Sequence, residues 1–217
     1  MSRIEASPVT IAGPVGKLEA VVEAPALLHT DAMAVVCHPH PVYHGTMNNK
    51  VVHTLARAVN LLGRPAIRFN FRGVGASDGE YGGGDGESED ALAVIRWARE
   101  TWPAAELWLA GFSFGAFVAL RASSRADPAC VVTVAPPIRR FAVADQPRPA
   151  CPWLVVQGSR DELVDSGKVA AWAAGLRPAP RVELMEDTDH FFHGRLTQLR
   201  ETVKSFLLSQ APACEVA

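Results

Sequence analysis

Ser113 stands two residues after Gly111 and two before Gly115, where an apolar run from Leu107 meets the small-residue stretch Ala116 to Leu120. An apolar run, a glycine-flanked serine and a helical stretch describe a strand, a sharp turn and a helix. A serine at such a turn is held in a strained backbone conformation, tolerable only where its neighbours lack a Cβ that would strike the strand or the helix. Gly111 and Gly115 give that clearance. The turn lifts Oγ clear of the sheet and leaves the next amide, that of Phe114, facing whatever Ser113 attacks. Ser113 is thereby read as a nucleophile. The same pattern also describes a glycine-softened turn with a serine helix cap, so catalysis requires an acid and then a histidine downstream, each at a strand end.

Both are present. The apolar run 153–157 leads into Asp161, just past the carboxyl end of a strand, where ligands bind in open α/β sheets. Asp165, the second acid, stands immediately before a helix, and capping explains it without chemistry. After the next strand His190 falls on a loop at the same sheet edge, whereas His193 reads as a surface or capping group beside the last helix. Serine is a poor nucleophile at neutral pH. His190 must take its proton and later return it to the leaving group, while Asp161 fixes the imidazole tautomer and stabilises the imidazolium. A developing oxyanion needs two donors, each able to contribute on the order of 3 kcal/mol. One is the Phe114 N–H. In the loop after the strand 33–37, Pro39 and Pro41 have no N–H, which leaves that of His40 as the second.

His38, His40 and His44 invite comparison with a metal site, but no carboxylate or cysteine cluster accompanies them at ligand spacing. The glycines from Gly73 to Gly86 suggest a phosphate cradle, yet no lysine followed by serine or threonine stands there and the dinucleotide spacing is missing. A mobile rim beside the active site is the expectation instead. Neither a metal nor a cofactor is called for.

These residues need a frame to position them. Short apolar segments at 9–11 and 18–23, separated by a glycine-proline turn, predict an antiparallel hairpin at a sheet edge. Residues 33–37 form a continuous apolar run, the sign of a strand buried on both faces. Val51, Val52, Leu55, Val59 and Leu62 repeat at helical spacing over 50–62, with Asn48 or Asn49 to cap the start and Gly63 to close the end. A strand over 65–71 follows, then the glycine-rich loop, then a helix from Glu87 with Leu92, Ile95, Ala98 and Trp102 on one face. Strands at 107–110, 130–134, 153–157 and 182–185 alternate with helices over 114–124, 166–176 and 196–207. This alternation predicts a mainly parallel, twisted sheet covered by helices on both faces, in one domain over residues 1–217.

The composition excludes other classes. With Lys+Arg 21 against Asp+Glu 23, a formal charge of -2 and no basic stripe, nucleic acid and anionic membrane are poor partners, and a small neutral or mixed-charge ligand fits better. No apolar run approaches the ~20 residues of a membrane span, and the N-terminal segment lacks the apolar core of a signal peptide, so a cytoplasmic location is expected. Cys37, Cys130, Cys151 and Cys214 have no paired spacing, which predicts neither disulfides nor a metal knuckle. The last four residues superficially match a prenylation box, but Glu215 is not aliphatic.

Taken together, His38 to Pro41 with Gly45 to Lys50, then Arg68 to Gly75, Gly111 to Gly115 and Asp189 to Gly194, resemble the α/β-hydrolase superfamily over nearly the whole chain, and within it a group of small bacterial serine hydrolases without a lid. The resemblance implies an esterase-type triad of Ser113, Asp161 and His190 acting on a small ester, with acyl transfer, peptide hydrolysis or ligand binding without turnover as alternatives. Many such relatives carry an acid where Asn70 stands and a His-Gly pair where His38-Pro39 stands. The connection 136–152, where relatives insert a helical lid, has room for a turn or one short helix, which predicts an open site. Tyr43, Phe112 and Phe191, with Met47, Tyr81 and Phe192, are the candidate rim and pocket groups.

Overall fold

A computed structural model describes residues 3–141, 143, 146 and 148–211; Cys214 and the other terminal residues considered above lie outside this range. The chain opens with a hairpin, β1 (Ile4–Gly13) and β2 (Gly16–Pro25), paired antiparallel along its length with Gly13 opposite Gly16. Both strands are longer than their apolar segments suggest. β1 is an edge strand exposed along most of its length, so polar residues occupy positions that an internal strand would fill with apolar ones.

The remaining strands are β3 (Ala32–Cys37), β4 (Ala66–Phe69), β5 (Glu106–Phe112), β6 (Cys130–Val134), β7 (Trp153–Gly158) and β8 (Arg181–Met185). They form one eight-stranded sheet in the order β1-β2-β4-β3-β5-β6-β7-β8. β2 runs antiparallel to β4, and every pairing from β4 to β8 is parallel. Every residue of β3, β4, β6 and β7 is buried, which explains their largely apolar character.

Among the described residues, five α-helices cover the sheet: α1 (Lys50–Asn60), α2 (Asp85–Thr101), α3 (Phe114–Ala126), α4 (Ser166–Ala174) and α5 (Leu196–Gln210). Side chains of α2, α3 and α4 share one apolar layer with Leu107 and Leu109 of β5. Those of α1 and α5 share the opposite layer with Trp108, Ala110 and Phe112. This is the expected α/β fold with helices on both faces. Among the described residues, no helix is long and apolar enough to cross a membrane.

Local chemistry sets the helix starts. The Asn49 side chain accepts the Val51 N–H at 2.8 Å, the cap expected for α1. α2 begins two residues earlier than its acidic run suggests, because the Glu87 carboxylate turns back to accept the amides of Gly82 and Gly84 at 2.8 and 2.7 Å. The glycine-rich segment before it was expected as a mobile rim and is instead fastened at several points. Arg72 grips the fully buried carboxylate of Asp90 through its Nε and Nη2, Ala76 N–H donates to Glu19, and Asp78 accepts the Lys17 N–H. Between β6 and β7, the described residues of the connection make turns, with the Ile138 and Arg140 amides donating to the carbonyls of Pro136 and Pro137. No helical lid stands there among the described residues.

β3 leads outward to β4, whereas β5 lies on the other side of β3, so the chain reverses its direction across the sheet between them. Such a reversal leaves a crevice at the carboxyl ends of the two strands. Ser113 follows β5 and His40 follows β3, which sets both at this crevice. The fit at its floor is close: a Cβ on Gly111 would overlap the backbone carbonyl of Gly115, and one on Gly115 would overlap the carbonyls of Cys37 and His38.

Gly111→Ala should therefore destabilise the protein by about 2 kcal/mol or more, lowering the thermal midpoint by roughly 4–8 °C. An unchanged midpoint in a thermal melt would show that the close approach of β5 and α3 does not require glycine.

Candidate active site

The backbone at Ser113 has φ 53° and ψ −118°, a conformation that costs a residue with a Cβ on the order of 1–3 kcal/mol. Flanking bonds hold it: the Ser113 N–H donates to Val134 O and the Ala116 N–H to Ser113 O, both at 2.8 Å. The side chain makes no helix-cap bond. Its Oγ lies 3.1 Å from His190 Nε2 instead.

His190 Nδ1 is 2.8 Å from Asp161 Oδ2. Because a carboxylate can only accept, this nitrogen carries the proton and Nε2 presents its lone pair to the serine hydroxyl. The ring packs between Phe112 and Phe191, at centroid distances of 5.2 and 5.1 Å. Gly158 lets the histidine loop come this close, since a Cβ there would overlap Thr188 O, and Arg160 N–H ties the two loops by donating to the same carbonyl at 2.9 Å.

Asp161 accepts four hydrogen bonds. Oδ1 receives the amides of Leu163 and Val164 at 2.9 and 2.8 Å, and Oδ2 receives Gln157 Nε2 and His190 Nδ1, both at 2.8 Å. Burial by itself raises the carboxyl pKa, but the bond to His190, its charge and the bonds from Val164 and Gln157 together hold it below the usual range. Asp165 caps α4 by accepting the Lys168 N–H at 3.0 Å. His193 bonds Asp189 at 2.7 Å on the surface, away from Ser113.

The His40 N–H and the Phe114 N–H have no acceptor among the described residues. The His40 carbonyl is fixed by accepting the amides of Tyr43 and Gly45 at 3.1 and 3.0 Å. Its Nδ1 accepts the Val42 N–H at 3.2 Å, so Nε2 carries the proton and donates to the Tyr81 hydroxyl at 3.2 Å. Burial lowers the His40 pKa; the Glu87 charge opposes this and the Arg140 charge adds to it. Beneath this loop, His38 is fully buried. Its Nδ1–H donates to Pro39 O at 2.6 Å while Nε2 accepts the Phe71 N–H at 3.1 Å, a pattern only the neutral ring can make. Asn70 completes the support, accepting the Met47 N–H and donating to Glu19.

A cavity of about 450 Å³ opens over Ser113 and His190. Tyr43 and Phe191 line it, together with His40, Phe114, Arg140, Phe141 and Leu163. Phe112 does not: it is 0% exposed and packs in the layer of α1 and α5, so its contact is with His190 and not with the cavity. Strand alternation explains this, since Phe112 lies on the same face as Trp108 and Ala110. Met47 and Phe192 are likewise buried, and Tyr81 reaches the site through its contacts with His40 and Phe114. Three contributors escaped the sequence reading. Gln157 had a signal, being a polar residue at the end of an otherwise apolar strand. Arg140 and Phe141 lie in a proline-rich connection without periodicity and had none. Among the described residues, no three or more His, Cys, Asp or Glu side chains gather as metal ligands.

Comparison with known proteins follows the same lines. A family described as alpha/beta hydrolase domain matches residues 42–211. The structure is similar to that of an α/β serine hydrolase without lid from Xanthomonas campestris, with TM-score 0.89, 43% identity and 96% of each chain covered. An α/β serine hydrolase homologue from Coxiella burnetii gives TM-score 0.89 and 42% identity, over 95% of this chain and 98% of that one. An uncharacterised protein of Rickettsia prowazekii is 31% identical over 208 residues, 91% of this chain and 87% of its own length.

The buried neutral His38 makes a prediction for acid. Burial lowers its pKa from 6.5 to about 4, against a smaller opposing effect of the bond to Pro39. Between those values the unfolded chain binds a proton that the folded chain does not, so stability is full above the unfolded pKa and falls as pH drops through this window. The loss has an upper limit of about 3 kcal/mol. In urea unfolding from pH 7 to pH 4, His38→Gln should be less stable at neutral pH and should lose less on acidification. Parallel pH profiles for the two proteins would remove His38 as the source.

Proposed function

The chain belongs to the α/β-hydrolase family of serine hydrolases, and from that premise we propose that it is a carboxylesterase acting on small, accessible esters through an acyl-serine intermediate. One observation carries this reading: the hydrogen-bonded chain from Asp161 through His190 to Ser113 Oγ ends at a cavity of about 450 Å³ that the described residues leave uncovered.

In this mechanism Ser113 Oγ attacks the ester carbonyl as its proton passes to His190 Nε2. Asp161, kept ionised by its four donors, stabilises the imidazolium. The carbonyl oxygen becomes an oxyanion facing the amides of Phe114 and His40, both free to donate among the described residues. When the tetrahedral intermediate collapses, the C–O bond breaks and the alcohol leaves with the proton held on His190. Water then repeats the sequence: His190 takes its proton, hydroxide attacks the acyl group, and Ser113 recovers the proton as the acid departs.

Tyr43 and Phe191 serve as substrate contacts, at 72% and 42% exposure, and the expected partner is a small-molecule ester. A cytoplasmic location belongs to the same proposal. The free thiols of Cys37, Cys130 and Cys151 are consistent with a reducing compartment.

Hydrolysis of p-nitrophenyl acetate and butyrate should be measurable for the native protein and fall by roughly 10³-fold or more in Ser113→Ala and Asp161→Asn. A fluorophosphonate should label the native protein and not Ser113→Ala. Equal activity of native protein and Ser113→Ala would overturn the serine assignment, and native protein that neither hydrolyses these esters nor takes the label would overturn the esterase reading.

A further inference from the structure

The charge lining the candidate active-site cavity is one-sided. Among the described residues, Arg140 is the only one lining the cavity with a permanent charge, and no carboxylate lines it. Asp161 and Glu162 sit beside His190 but not on the cavity wall: the first is bound to Nδ1 and the second meets the His190 N–H at 3.5 Å. Glu87, whose charge reaches His40, is fully buried with both oxygens occupied by backbone amides.

Among the described residues no acceptor or carboxylate engages the Arg140 guanidinium. Nor is it carried on a loose segment. Its N–H donates to Pro137 O at 2.8 Å, its carbonyl accepts the Val143 N–H at 3.3 Å, and the next residue, Phe141, stacks on Phe117 at 5.4 Å and meets Phe114 edge-on at 5.2 Å. Phe114 carries one of the proposed oxyanion donors. The turn bearing Arg140 is therefore anchored to the same helix start as the reaction centre. Beyond Arg140 a recess of about 50 Å³ continues past Pro137, Leu163 and Val164 to Lys168, whose charge is already met by Asp165 at 3.3 Å.

We propose that the preferred substrate is an ester bearing a carboxylate remote from the scissile bond, and that Arg140 receives this carboxylate. The inference rests on the esterase reading and names the substrate class for it. A guanidinium presents paired N–H donors that match the two oxygens of a carboxylate. One positive charge that no described carboxylate engages, set among apolar walls, matches one negative charge. The apolar walls between Ser113 and Arg140 accept the methylenes joining ester and acid.

The test compares substrates in which a terminal methyl is replaced by a carboxylate. Monoethyl adipate is set against ethyl hexanoate for a charge on the acyl side, and 4-acetoxybutanoate against butyl acetate for a charge on the alcohol side, with hydrolysis followed in a pH-stat at pH 7. In one arm the native protein should prefer the anion by about tenfold in kcat/KM, and added salt should shrink the preference because Arg140 is exposed. Arg140→Gln should bring the ratio near one, Arg140→Lys should keep part of it, and Arg140→Glu should reverse it. A native ratio of one or less in both arms, or a ratio unmoved by Arg140→Gln, overturns the inference, while hydrolysis of the neutral esters would leave the esterase reading intact. A binding measurement covers the case of no turnover. In saturation-transfer NMR on Ser113→Ala protein, the anion of at least one of the two pairs should bind more tightly than its neutral partner, and the difference should vanish in Ser113→Ala/Arg140→Gln; equal binding in both pairs overturns the inference whatever the fate of the hydrolase reading.

Discussion

The contact on which the rest of this structure depends is the approach of two backbones at the start of α3. Gly111 and Gly115 allow strand and helix to meet without a Cβ between them, and Gly115 also seats α3 against the carbonyls at the end of β3. That approach turns the peptide at residue 113 into its strained form and exposes Oγ, and it brings the His38–Pro41 loop beside the first amides of the helix. The strain is sustained because it is fixed on each side by a backbone hydrogen bond and beneath by the Phe114 ring packed on Phe71 and Phe117. The proposed nucleophile and the proposed oxyanion donors are thus placed by one packing arrangement.

The remaining site residues are held by polar contacts. Asp161 is held by the amides of Leu163 and Val164 and by the Gln157 side chain, which supply three of its four hydrogen bonds independently of the histidine. Its orientation therefore does not depend on the protonation of His190. On the opposite wall, His38 and Asn70 do comparable work for the His40 loop, one by clamping the ends of β3 and β4 together and the other by holding Met47.

The order serine, acid, histidine after β5, β7 and β8 was legible because each apolar run stops abruptly at a polar residue, and each stop coincides with the carboxyl edge of the sheet. The fold was legible for the same reason: strands buried on both faces cannot alternate, and helices between them must. What the sequence hid was set by contacts between distant segments. The polar outer length of β1 and β2 carries no periodic signal, and the start of α2 depends on a side chain folding back on its own glycines. Phe112 was misjudged through proximity to Ser113, although counting two by two from Trp108 assigns it to the other face of the sheet. Arg140 and Phe141 become meaningful only when the connection after β6 is folded over α3, a placement that no local pattern encodes.

The uncovered mouth bears on which nucleophile finishes the reaction. An acyl group on Ser113 would be met by solvent at its bulk concentration, with no helix among the described residues closing over it to select a second substrate. Transfer to another alcohol or amine would then need a binding site that holds the acceptor in place and keeps water away. Among the described residues the permanently charged group of the cavity walls is Arg140, proposed above to receive an acid. Partitioning of the acyl group is thereby tilted toward water, and the shape of the crevice favours a hydrolase over a transferase before any difference in catalytic residues is considered.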